Sequence, residues 1–68
     1  MDREVLQHSI RKFLKTVGVN SQREIEQAVD KAIAAHAIAG TETLPAKMTL
    51  NIVGLQLNVE FDGEVQLR

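Results

Sequence analysis

Met48-Thr49-Leu50-Asn51-Ile52-Val53-Gly54-Leu55-Gln56-Leu57-Asn58-Val59-Glu60-Phe61 is the stretch whose reading decides the fold. Met48, Leu50 and Ile52 alternate with Thr49 and Asn51. Beyond Val53-Gly54, Leu55, Leu57, Val59 and Phe61 alternate with Gln56, Asn58 and Glu60, and Val65 and Leu67 continue on odd positions. A period of two marks antiparallel strands with one dry and one wet face. Residues opposite each other in a hairpin share a face. A two-residue loop at Val53-Gly54 therefore pairs Ile52 with Leu55, Leu50 with Leu57 and Met48 with Val59. A three-residue loop of Phe61, Asp62 and Gly63 then pairs Val59 with Val65 and Leu57 with Leu67, with Gly63 at the left-handed third position. The first turn is the strained one, since a type I′ turn asks Val53 for a positive φ that a β-branched residue resists. The alternative is a bulge at Gly54, with residues 48–61 as one long strand whose partner comes from a second chain.

Upstream the period is helical. Leu6, Ile10, Phe13, Leu14 and Val17 recur at intervals of three and four, predicting an amphipathic helix over residues 2–17 capped by Asp2, with Gly18 as its left-handed stop. Ser21-Gln22-Arg23-Glu24 reads as a capping box that opens a second helix over residues 21–39. Ile25, Val29, Ala32, Ile33 and His36 form its apolar stripe, and Gly40 closes it. The link Gly18-Val19-Asn20 is short enough to force a helical hairpin or a steep corner. Thr41 to Lys47 is then a connector, in which Pro45 prevents the helix from resuming. The expected fold is α+β: two N-terminal helices, then a three-strand antiparallel meander (about 47–53, 55–61 and 64–68), with the helices on one face of the sheet. At 68 residues this is one small domain over 1–68.

Composition bounds the chemistry. The 68 residues hold no cysteine, so neither a disulfide nor a cysteine-based zinc site can be built, and 44% hydrophobic residues are too many for a disordered chain. Met1-Asp2-Arg3-Glu4 carries both signs of charge with no apolar segment behind it, unlike a signal peptide, and the longest apolar stretch is far too short to span a bilayer. A cytoplasmic protein without a membrane span is the expectation. His8 and His36 are far apart in sequence, with no second histidine at i+4, and His8-Ser9 is not a dyad because helix neighbours point about 100° apart. No carboxylate pair, phosphate loop or nucleophile arrangement is present. The expectation is a protein that is not an enzyme, with no catalytic residue, cofactor or metal.

Two classes of partner remain. Ile38 lies opposite Ile25, Val29 and Ile33 on the expected second helix, so one core cannot bury both sets. Ile38, Leu44, Pro45, Met48, Val53 and Leu55 are thus the candidate contact residues of a self-associating protein-interaction module. A homodimer is expected, with exchanged strands as one form of it. The alternative is a nucleic-acid-binding accessory protein using the basic patch Arg11, Lys12, Lys15 and Arg23, on the face of the first helix and the start of the second. The net charge of −1 argues against nucleic acid in general. Charge is uneven, however: five basic and two acidic residues through Arg23, then three basic and seven acidic. Glu24, Glu26 and Asp30 would repel phosphate from the second helix.

Ser9 to Lys15, Val17-Gly18-Val19 and Ser21 to Glu26, then Glu42 to Leu50, Gly54-Leu55 and Gly63-Glu64, resemble a family of short bacterial proteins of about this length, a domain-of-unknown-function family. The resemblance covers nearly the whole chain. It implies a free-standing small cytoplasmic protein and supplies no catalytic residue.

Overall fold

The computed structural model describes all 68 residues, Met1–Arg68. Its elements are one long helix, α1 (Arg3–Ala34), then two strands, β1 (Thr43–Ile52) and β2 (Leu57–Gln66), joined by a 3-10 turn at Val53–Leu55. The chain divides into two compact units, Met1–Ala35 and His36–Arg68. Two helices and a three-strand meander are therefore not what forms.

The first unit is the helix. Asp2 caps it as expected, its Oδ1 accepting from the amides of Glu4 (2.9 Å) and Val5 (3.3 Å). The helix does not stop at Gly18; it runs on through Val19, Asn20 and the expected capping box. A break there would orphan up to four carbonyls on one side and four amides on the other, and a capping box recovers only two of the amides. Gly18 in a helix interior costs only about 1 kcal/mol against alanine. Continuity wins on that comparison, and Ser21 is a half-buried mid-helix residue. Local side-chain bonds fit an uninterrupted helix: Thr16 Oγ1 donates to the Lys12 carbonyl at 3.1 Å, and Gln22 Nε2 to Glu26 Oε1 at 3.0 Å.

The helix ends earlier than the alanine-rich sequence suggests. The Ala35 amide still reaches the Lys31 carbonyl at 3.0 Å, but His36 takes a left-handed conformation (φ 58°). Histidine tolerates that region better than most residues that carry a Cβ. His36 is thus the residue that turns the chain out of the helix, and it does not belong to an apolar helical stripe. Ile38 likewise lies outside any helix, in the loop that follows, and is half-buried. The expectation that it projects from a helix face is overturned.

The second unit is a hairpin of two ten-residue strands. Its register runs from Thr43 opposite Gln66 to Ile52 opposite Leu57, with Leu44 opposite Val65, Met48 opposite Phe61 and Leu50 opposite Val59. The connection is four residues long, not two. Val53 to Leu55 make a 3-10 turn, the Gln56 amide donates to the Val53 carbonyl at 3.0 Å, and Gln56 carries the left-handed conformation (φ 52°, ψ 36°). This loop spares Val53 the positive φ that a two-residue turn would demand. Neither the pairing of Ile52 with Leu55 nor a bulged strand over 48–61 occurs.

The expected second turn at Phe61-Asp62-Gly63 is absent, and β2 passes straight through it. The reason lies upstream: β1 begins at Thr43, four residues before the expected strand, and supplies a partner for all of β2. Pro45 does not prevent this. The Leu67 amide bonds to the Glu42 carbonyl at 3.0 Å, which fixes the alternation of the ladder. Even-numbered residues of β1 turn their amides toward β2 and odd-numbered ones turn outward. Pro45 therefore stands, opposite Glu64, where no amide is needed.

Candidate interaction surfaces

The register sorts the hairpin into two faces. Leu44, Ala46, Met48, Leu50 and Ile52 share one face with Leu57, Val59, Phe61, Gly63 and Val65; the other carries Thr43, Pro45, Lys47, Thr49 and Asn51 with Asn58, Glu60, Asp62, Glu64 and Gln66. The first face has no polar side chain, and the second has none that is apolar except proline. On the wet face Lys47 Nζ lies 3.5 Å from Glu60 Oε2, with both side chains more than half exposed. Such a pair contributes at most about 1 kcal/mol.

On the helix, Leu6, Ile10, Phe13, Leu14 and Ile25 keep between 37% and 54% of their surface exposed. No residue of the chain is buried. Each unit thus keeps exposed apolar side chains of its own.

Between helix and strand, one carboxylate organises a loop. Glu42 accepts from three successive amides: Ala39 (2.7 Å, Oε2), Gly40 (2.8 Å, Oε1) and Thr41 (3.0 Å, Oε1). Gly40 has φ 93°, which lets the backbone curl so that these amides converge. The Ala39 amide foremost, helped by the other backbone amides, holds the Glu42 carboxyl below the usual glutamate range, against a weaker desolvation effect in the opposite direction. Sequence reading placed Glu42 in a connector expected to be a contact surface, and gave its carboxylate no part in shaping the loop. A carboxylate two residues after a glycine was the only available signal.

The residues singled out as contacts are dispersed. Leu44 and Met48 sit on the apolar face of the hairpin, Pro45 on the polar one, and Ile38 in the loop. Val53 and Leu55 project from the hairpin tip, 82% and 70% exposed. Of the basic residues, Arg11, Lys12 and Lys15 line a shallow open depression on the helix together with His8. Arg23 is eight residues beyond Lys15, about 12 Å along the axis, with Glu24 and Glu26 beside it. With α1 uninterrupted, Arg23 lies in mid-helix and not at the start of a second helix. No group of three His, Cys, Asp or Glu residues is placed to hold a metal ion, and no helix is long and apolar enough to cross a membrane.

The family model described as a family of unknown function (DUF6494) matches residues 1–68, the entire chain. The chain belongs to that family. No curated protein and no solved structure matches it.

Proposed function

We propose that this chain is a non-enzymatic, self-associating protein-interaction module. The observation that carries the reading is the pairing of two orderly apolar arrays, on the helix and on the hairpin, with the absence of any buried residue. In proteins a helix draws most of its stability from packing of its apolar face. A lone two-strand hairpin is marginal at best. Fifteen large apolar side chains keep more than a third of their surface in water. Covering the exposed half of such a side chain gains roughly 1 kcal/mol. Ten of them supply on the order of 10 kcal/mol per chain, enough to meet an association cost of about 4–15 kcal/mol.

Sedimentation equilibrium from low to high micromolar concentration tests this, with far-ultraviolet circular dichroism at each concentration. A dimer or higher oligomer is expected, with helix content falling as dilution dissociates it. A monomer that keeps full helix and strand signal across the range would overturn the reading.

A further inference from the structure

We infer that the outer edge of β2 takes up an extended peptide segment whose basic residues alternate with apolar ones, adding it to the hairpin as a third, antiparallel strand. The inference goes beyond the self-association reading and does not depend on it. A two-strand hairpin is marginal alone, and a third strand is one of the ways to stabilise it. The two edges of this hairpin are not equivalent. On β1 the ladder turns the amides of Thr43, Lys47, Thr49 and Asn51 outward, and Pro45 interrupts that row with no amide at all. Proline and lysine on an edge both obstruct strand addition. On β2 the outward groups belong to Asn58, Glu60, Asp62, Glu64 and Gln66, an unbroken row without proline, lysine or arginine. None of these amides donates to another group of the chain.

Charge decides what kind of strand fits. The residues that turn their backbone outward on β2 carry their side chains on the polar face. Glu60, Asp62 and Glu64 therefore form a carboxylate ladder with a spacing of about 7 Å along that edge. Lys47 is the only cation of the polar face, and its one ion pair is with Glu60 at 3.5 Å. One lysine against three carboxylates leaves that face a charge of −2.

The same ladder disfavours a second copy as the added strand. Antiparallel pairing of β2 with itself about Asp62 sets Asp62 opposite Asp62 and Glu60 opposite Glu64, and like charges directly opposite destabilise a sheet. The β1 edge of a second copy would bring Pro45 and a single lysine. A segment with Lys or Arg at every second position instead sets a cation opposite each carboxylate, at the same pairs that exchange main-chain hydrogen bonds. Its intervening residues fall on the apolar face beside Phe61, Gly63 and Val65. Gly63 has open space where a Cβ would stand, and Ala46 lies opposite it in the ladder. An apolar side chain arriving beside Gly63 has room to lie against Phe61, which is 58% exposed.

The probe is a short peptide of alternating lysine and valine with blocked ends, titrated into the full chain at low salt and followed by amide resonances and hydrogen exchange. In the added strand the lysine amides point at β2 and the valine amides point away. N-methylation of the lysine amides should therefore weaken binding about tenfold or more, while N-methylation of the valine amides should leave it within about threefold. The amides of Glu60, Asp62 and Glu64 should become protected from exchange, and those of Lys47 and Thr49 should not. Asp62→Lys/Glu64→Lys changes two exposed side chains and leaves the apolar face intact. It should weaken binding of the lysine peptide about tenfold and create binding of a glutamate–valine peptide. Equal binding of the two methylated peptides would reduce the contact to charge attraction and overturn strand addition. Protection on the β1 edge would refute the choice of strand, and no binding, or binding indifferent to the charge reversal, would remove the site. Sedimentation is read separately, so a chain that self-associates without taking up the peptide removes this inference alone.

Discussion

Moving one glycine by two positions should stabilise the hairpin. Gln56 holds the left-handed conformation of the loop, while Gly54 sits in the 3-10 turn with no positive φ and open space where a Cβ would stand. The glycine and the position suited to it are thus two residues apart. A side chain in the left-handed region brings its Cβ against the following carbonyl oxygen, at a cost of about 1–2 kcal/mol. In Gly54→Ala/Gln56→Gly one glycine is lost and one gained, so their effects on the entropy of the unfolded chain cancel. What remains is the relief at position 56, about 1–2 kcal/mol. For a chain of this size that corresponds to a rise in Tm of roughly 7–14 °C. Thermal and urea unfolding followed by circular dichroism would read it, at one fixed protein concentration because association contributes to apparent stability. The single variants are separately informative. Gly54→Ala alone should be neutral or stabilising by up to about 1 kcal/mol. If it destabilised by that much or more, Gly54 would hold a positive φ, and the loop would be the two-residue turn that pairs Ile52 with Leu55.

Gly18→Ala should likewise stabilise, by about 0.5–1 kcal/mol, because Gly18 is helical and a Cβ there meets nothing within 4 Å; a clear loss of helicity would instead place a left-handed break at Gly18. Glu42 should make its loop sensitive to acid. A carboxyl whose folded-state pKa is lowered contributes stability that is present above the ordinary glutamate value and lost as pH falls through the folded-state value. Amide resonances of Ala39, Gly40 and Thr41 should therefore titrate together with a midpoint below that of free glutamate, and Glu42→Gln should abolish the transition. A midpoint at or above the free value would show that the three amides do not hold the carboxylate.

Much of each element was legible, and the errors concern where elements stop. The helical period from Leu6 onward and the capping role of Asp2 were readable because both depend on residues within a few positions. The false break at Gly18 came from weighing two punctuation signals, a glycine and a capping box, without the backbone groups that a break would leave unpaired. The missing third strand has a similar origin. Leu44-Pro45-Ala46 looked like a connector because proline is poor in strands, yet its cost depends on which way the position 45 amide points. That direction is set by the partner strand, and the sequence before pairing does not contain it. His36 and Gln56 took left-handed conformations while Gly18, Gly54 and Gly63 did not. Glycine marks where such a conformation is inexpensive, and tertiary geometry decides where it is used.

The hairpin shows why a wrong register still yielded the right surface. Expected pairs such as Leu50 with Leu57 sum to 107, and observed pairs such as Leu50 with Val59 sum to 109. A shift of two residues exchanges partners but leaves every side chain on its original face, because strand side chains alternate with period two. A shift of one would have turned Met48, Leu50 and Ile52 onto the face of Glu60 and Asp62. The alternation of polarity therefore excludes odd shifts strongly and even shifts hardly at all. Loop chemistry has to choose among the even ones. Here the choice falls to Val53: a two-residue loop forces it to positive φ, and the four-residue loop transfers that conformation to Gln56, an unbranched side chain that bears it at lower cost. The apolar face thus follows from the alternation alone, while its partners follow from the tolerance of one loop residue. This is why the Gly54 and Gln56 variants test the pairing, and a substitution on the apolar face would not.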